Sequence, residues 1–317
     1  MKTTGLGILA AMGAATCFSI IDMLFKFLSG DYPLYEVVFI RSVVALVVLF
    51  GILMPLEGGF HLIRTRKLKL HLLRSAAVLF ANLCFFTGLA IMPLAEAVAI
   101  AFATPLVVTL LSVVFLKETV GPWRWGAIAG GFIGILVIMR PGADTFQAAA
   151  ILPLLGACGY ATLHVLTRSA GGTEKAATLS FYPTFGFLVV SSLVGLVLGG
   201  GQLATGGESA ALDFIFRAWK WPASQDWIYF VGVGLAGSVG GYLVSQAYRL
   251  CEATLIAPFE YVAMPLAIVW GVMFFEEWPE LPVWIGSGLI IGSGLVSVWR
   301  ETRRSRAPSR ARPRSTG

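Results

Sequence analysis

Several ionisable side chains stand inside stretches that are otherwise apolar, and their spacing limits the chemistry this chain could do. Asp22 and Lys26 are four residues apart, one helical turn, so they share a face. Arg41 lies eight residues past Pro33 in the next apolar run, about 12 Å along a helix. Glu96 opens a later run. Charges in such surroundings are costly and face a cavity or a partner. The set reads either as a charge-neutral lock between three helices or as a vestibule that recognises a charged or zwitterionic solute.

A second set lies in the C-terminal half. His164 and Arg168 sit near one end of an apolar run, Arg249 and Glu252 flank a turn, and Glu260 follows Pro258 by two residues. A carboxylate in a helix interrupted by Pro258 and Pro265 could bind a cation, shuttle a proton, hold a substrate amine, or pair with Arg168 or Arg249. Tyr160, Tyr182, Tyr242, Gln246, Tyr248 and Tyr261 fall near these levels. Stacking on them suits a flat or organic cation-like solute, and helix packing accounts for them too.

Catalysis is a poorer reading. The three histidines (His61, His71, His164) are scattered, which leaves no metal cluster. Cys17, Cys84, Cys158 and Cys251 have apolar neighbours and no CxxC spacing, as buried small hydrophobes do. No phosphate-binding glycine loop is present, so neither ATP coupling nor a cofactor is expected. Two rivals to transport stay open: an integral-membrane enzyme acting on a lipid-like substrate, and a non-transporting membrane subunit. The first needs His, Asp or Glu clustered at one membrane face, whereas these charges divide between opposite faces. The second would carry a folded soluble domain, for which no stretch has the composition.

The elements that must position these residues are membrane spans. Of the 317 residues 57% are hydrophobic and 13% charged, with a mean hydropathy of +0.82; soluble domains carry roughly 25% charged residues. A bilayer core needs about 20 apolar residues per helix. That ruler predicts ten spans, at 5–28, 33–55, 72–92, 94–116, 123–140, 148–168, 176–199, 227–248, 253–275 and 281–299. The first reads as a retained helix, not a cleaved leader. With the N-terminus inside, eighteen Lys and Arg (Arg74 counted among the inner-loop residues) lie on the inner side, and only Arg140, Arg217 and Lys220 on the outer. The asymmetry predicts N-in, C-in. The basic inner loops and the Arg-rich tail 301–317, expected to be disordered, suit anionic lipid better than nucleic acid. Trp219, Trp221 and Trp227 suit an interfacial segment in the outer loop 200–226.

The spans repeat. Pro105 matches Pro265, Glu118 matches Glu277 and Gly126 matches Gly286, each 159 or 160 residues apart. Five spans per copy is odd, so the second copy is inserted upside down. The expected fold is all-α integral membrane: ten transmembrane helices as two inverted five-helix repeats, at 5–141 and 148–300. Glu118 and Glu276/Glu277 fall at helix ends on opposite sides, as capping or gate-side charges. GxxxG spacings at Gly126/Gly130/Gly134, Gly237/Gly241 and Gly288/Gly292 predict close helix packing.

Together these features resemble the drug/metabolite transporter superfamily, in its form with two tandem EamA-type domains. The residues that carry the resemblance are Ala97, Pro105, Glu118 with Ala257, Pro265, Glu277; the glycines Gly126, Gly131, Gly134 with Gly286, Gly292, Gly294; and the run Phe39–Leu46. It covers roughly residues 5–300. It implies a ten-helix fold with a central cavity in the cytoplasmic membrane of a bacterium, and secondary transport of a small polar or amphipathic metabolite by alternating access. Asp22, Lys26, Glu36 and Arg41 look most like the S-adenosylmethionine-uptake-like branch; riboflavin and amino acids are also family substrates. A proton or solute gradient is the expected driver, with Asp22, Glu96 and Glu260 as the carboxylates. Glu260, present only in the second copy, is the residue where substrate or proton is expected.

Overall fold

The computed structural model describes residues 2–117, 121–141, 148–169, 175–250 and 259–305. Every helix or strand assigned among them is a helix. In chain order these are α1 (Lys2–Ser29), α2 (Leu34–Val48), α3 (Met54–Glu57), α4 (Leu68–Ile91), α5 (Leu94–Ala101), α6 (Thr104–Leu116), α7 (Pro122–Met139), α8 (Ile151–Ser169), α9 (Ala176–Leu198), α10 (Ala210–Phe216), α11 (Trp227–Leu250), α12 (Ala263–Phe275) and α13 (Leu281–Ser305). A π turn, Leu49–Leu53, joins α2 to α3 into one span. Among the described residues seven apolar segments are long enough to cross a bilayer. Three shorter ones, Trp125–Met139, Ala263–Phe275 and Leu281–Val296, fall where the sequence places the remaining spans.

Proline sets several of the boundaries. Pro33 and Pro93 cap α2 and α5, and Pro122 opens α7, positions where a missing N–H costs nothing. Pro105 instead divides a span into α5 and α6. A proline there cannot donate to the Ala101 carbonyl four residues back; the Thr104 hydroxyl donates to it at 2.7 Å. In the second copy Pro265 leaves the Tyr261 carbonyl short, and the Met264 amide donates to it at 3.1 Å. The two breaks meet: the Phe102 and Tyr261 rings pack at a tilt with centroids 5.1 Å apart. The helices that follow end alike. Lys117 (φ 54°) and Glu276 (φ 57°) both adopt the left-handed conformation, each donating its amide to the carbonyl five residues back. Glycine is the usual residue for that conformation.

The helices pair as α1 with α11, α4 with α8, α7 with α13, α2 with α9 and α5 with α12. Further pairs are α2 with α11, α4 with α9, α6 with α8 and α1 with α12. The main core runs through α1, α2, α4 and α5, with Phe25 stacked on Phe86 at 3.7 Å. Small residues allow the close crossings, but not all at the GxxxG positions. Gly134 and Gly286 face each other between α7 and α13, while Gly156 and Gly159 of α8 lie against Ala81 of α4. Gly126, Gly241, Gly288 and Gly292 face open space. Spacing alone selects a helix face without saying which neighbour it meets.

On the side expected to be outer, α10 and the chain after it fold over the α1–α2 turn. Tyr32 donates to Asp226 at 2.6 Å, Arg217 donates to the Gly30 carbonyl at 2.6 Å, and Trp219 packs against Tyr35 and Phe39. Asp213 organises the loop before it by accepting from the Thr205 hydroxyl and amide and from the Gly207 amide. These bonds, the Thr205 hydroxyl's first, hold the Asp213 carboxyl below its ordinary value of 3.8. A carboxyl lowered in the folded state stabilises the loop above the ordinary value and stops doing so as pH falls through the lowered one. Asp213→Asn is expected to speed amide exchange at Thr205 and Gly207 roughly tenfold at neutral pH, read by hydrogen–deuterium exchange. In the wild type, acidification through the lowered value should likewise reduce the protection of these two amides relative to their intrinsic exchange rate at each pH.

Two boundaries differ from the sequence reading. α13 continues to Ser305, five residues into the expected tail, because its arginines prolong a helix already formed. Arg74 is not an inner-loop charge: it is buried within α4. Glu118, Cys251, Glu252, Pro258 and the tail beyond residue 305 lie outside the described residues, as do the side chains of Arg168, Tyr248 and Arg249.

Candidate functional site

Three of the expected residues come together in the bundle interior. Arg41 of α2 donates to the Asn82 side-chain oxygen at 3.3 Å, and the Asn82 amide nitrogen donates to the Tyr160 hydroxyl at 3.0 Å and to the Val78 carbonyl at 3.0 Å. Tyr160 of α8 lies within electrostatic reach of both Arg41 and the Asp22 carboxyl of α1. Asp22, Arg41 and Tyr160 lie deep among protein atoms and each keeps partial exposure, as side chains that face a cavity do. Four helices contribute one polar side chain each.

Within this cluster the roles differ. The Arg41 guanidinium sits over the rings of Phe187 at 4.7 Å and Phe25 at 5.3 Å. Cation–π contact and the Asn82 bond together satisfy it without a carboxylate. Tyr160 accepts from Asn82, so its own hydroxyl hydrogen is left to point elsewhere. Asp22 makes no hydrogen bond or ion pair among the described residues. An uncompensated carboxyl in such surroundings is a functional group by default. Asn82 was not among the candidates. A neutral amide in the run VLFANLCFF carries no charge to draw attention, although a polar residue in mid-span is itself a signal.

Other expected residues surround this cluster. His164, one turn beyond Tyr160 on α8, is exposed and lies near Arg74. Arg74 donates to Thr167 at 2.9 Å and contacts His71, whose ring stacks on Tyr182 at 4.4 Å. Tyr261 lies beside Glu260 and, with Phe102, keeps partial exposure where the helix breaks meet. Trp270 of α12 donates to Ser19 of α1 at 3.1 Å. Tyr242 and Gln246 are bonded to each other along α11 at 2.8 Å.

Lys26 leaves this group. It does not turn to Asp22; its ammonium pairs with Glu277 at 2.5 Å and donates to the Met92 carbonyl at 2.7 Å. Glu277 also accepts from the Leu94 amide at 2.8 Å, at the N-terminus of α5. Glu96 is a further carboxylate near Lys26. A local rule, i with i+4, points to Asp22; a partner 251 residues away takes its place.

Residues 5–140 match the model of the EamA-like transporter family. A riboflavin transporter of Rhizobium johnstonii is 30% identical over 79% of this chain and 77% of its own length. An S-adenosylmethionine uptake transporter of Rickettsia conorii is 24% identical, over 89% and 88%. A solved protein crystal structure aligns with a TM-score of 0.63 over 95% of this chain and 99% of that one, and at 19% identity the likeness is one of fold. With several membrane-length apolar helices and transporters as its relatives, this is a multi-pass membrane protein that moves a small metabolite and is not an enzyme. The chain belongs to the EamA-like transporter family, a branch of the drug/metabolite transporter superfamily.

Proposed function

We propose that the transported solute is a flat, nitrogen-rich ring bearing a hydroxylated chain, the chemistry that riboflavin and S-adenosylmethionine share. Asp22 and the Tyr160 hydroxyl would read the donor and acceptor edge of the ring. Asn82 and Arg41 would hold Tyr160 in place, and Phe102 and Tyr261 would offer aromatic faces. The carrying observation is the enclosed but accessible Asp22, with no partner of its own beside an anchored tyrosine. The relatives named for those two solutes support the choice of class.

The mechanism is alternating access between two inverted five-helix halves, residues 5–141 and 148–300, with both termini inside. The pairing pattern supports it. If α1, α2, α4, α5/α6 and α7 exchange places with α8, α9, α11, α12 and α13, the principal packed pairs named above map onto one another. Proton coupling through Asp22 follows from its place in the cavity, and the basic inner loops rest on anionic lipid. The test is uptake and counterflow in proteoliposomes, with and without a pH gradient. The panel is riboflavin, S-adenosylmethionine, amino acids, nucleosides and quaternary amines. Saturable flux of one of the first two is expected. Flux confined to the amino acids or amines overturns the substrate class.

A further inference from the structure

The outer ends of the two halves are tied by ion pairs. Lys26 at the end of α1 holds Glu277 in the α12–α13 turn, and Arg140 after α7 holds Glu280 at 2.6 Å. The Lys26–Glu277 pair is also the better enclosed, with side-chain exposures of 10% and 24% against 21% and 66%. Three parts of the chain converge on it: α1, the α4–α5 turn through Met92 and Leu94, and the turn before α13. Phe275 closes over the ammonium at 5.2 Å. Below it lies the space lined by Asp22, Arg41 and Tyr160.

Lys26 has a second carboxylate within its own helix. Side chains on a helix lean toward its N-terminus, so the Lys26 stem lies over the turn that carries Asp22. An acid four residues before a base is also the favoured order for an ion pair along a helix. In the present state Asp22 has no hydrogen bond or ion pair among the described residues, and the ammonium is turned the other way, onto Glu277.

We propose that Lys26 is a two-position latch that couples the solute site to the outer gate. With Lys26 on Glu277 the outer side is closed. When the α12–α13 turn withdraws, Lys26 is released and turns down to Asp22, which compensates its charge in the outward-open state. A solute that occupies Asp22 denies Lys26 this second position and favours return to Glu277, closing the gate behind itself. No covalent step is involved; one ammonium exchanges carboxylates. The inference rests on the alternating-access reading and adds to it the residue that links site and gate.

The test reads the gate without any solute. Nitroxide labels at Asp31→Cys and Trp278→Cys, both exposed positions on the outer side, report the α1-to-turn distance in full-length protein in proteoliposomes, with native cysteines replaced by alanine. Glu277→Gln keeps the shape and removes only the closed-state charge, so the long-distance population should rise about tenfold over the parent. Adding Asp22→Asn removes the open-state partner, and the population should fall back to within about threefold of the parent. In a Lys26→Met background Asp22→Asn should change nothing. An unchanged distance in Glu277→Gln overturns the gate. Widening that Asp22→Asn does not reverse, or a response to Asp22→Asn in the absence of Lys26, overturns the exchange. A panel that yields no flux removes the functional reading but leaves these distances to be read.

Discussion

Asp22→Asn should lower solute uptake in proteoliposomes about a hundredfold while the yield of folded protein stays at the wild-type level. The two halves of that result have separate physical causes. A hydrogen bond to a charged group is worth about 1.5–3 kcal/mol, and each 1.4 kcal/mol is a factor of ten. In an enclosed cavity the upper end of that range applies, because water competes poorly there. Folding should not suffer, because Asp22 makes no bond among the described residues that the substitution would break, and a desolvated carboxyl is itself a burden within the membrane. Tyr160→Phe should cost less, about tenfold, since it removes a neutral hydroxyl. It also takes away one of the two acceptors of the Asn82 amide, so a small loss of thermal stability should accompany it. Uptake by Asp22→Asn at the wild-type rate and half-saturation would remove Asp22 from the site.

The order of these effects also separates a binding site from a structural lock. In a lock the charged residue with the most partners matters most to folding, and here that residue is Arg41, bonded to Asn82 and set against three aromatic rings. Arg41→Met should therefore damage folding first and flux only in consequence. Asp22, the group with the fewest contacts, should damage flux alone. With both results in hand, the same four-helix cluster would contain both alternatives that the sequence leaves open, divided between residues.

What the sequence makes legible follows from how each signal arises. The helix breaks at Pro105 and Pro265 are legible because a proline without an N–H interrupts a helix wherever it falls in mid-span. That the breaks face each other through Phe102 and Tyr261 is tertiary and has no local trace. Asp22, Arg41 and Tyr160 are legible as intramembrane polar groups, whereas Asn82, which joins two of them, carries no charge. Lys26 and Asp22 share a face, as their spacing requires, yet the ammonium turns to Glu277 because that carboxylate, the Met92 carbonyl and Phe275 satisfy it together. Glu277 is read from sequence as a capping or gate-side charge; its partners, Lys26 and the Leu94 amide, are tertiary and have no local trace. Glu260 keeps its place beside Tyr261 at the break, but the side chain that stands without a bond of its own is Asp22.

The largest stability effect should come from a glycine. A Cβ on Gly286 would stand 2.6 Å from the Gly134 carbonyl oxygen and would overlap the Ile138 side chain; a Cβ on Gly134 would stand 2.7 Å from the Gly286 carbonyl oxygen. Both obstacles include helix backbone, which cannot rotate aside as a flexible side chain can, so α7 and α13 would have to separate. Overpacking of a tight core costs about 1–3 kcal/mol. Valine, branched at that same Cβ, should reach or exceed the upper figure in Gly286→Val. Little folded, monodisperse protein should then survive purification in detergent. Gly288→Val and Gly292→Val are the controls, on the same helix and equally bulky, because nothing lies within 4 Å of a Cβ at either site. Their melting temperatures should stay close to wild type. If Gly286→Val melts with the wild type, or the two controls fall with it, then α7 and α13 do not cross at Gly134 and Gly286.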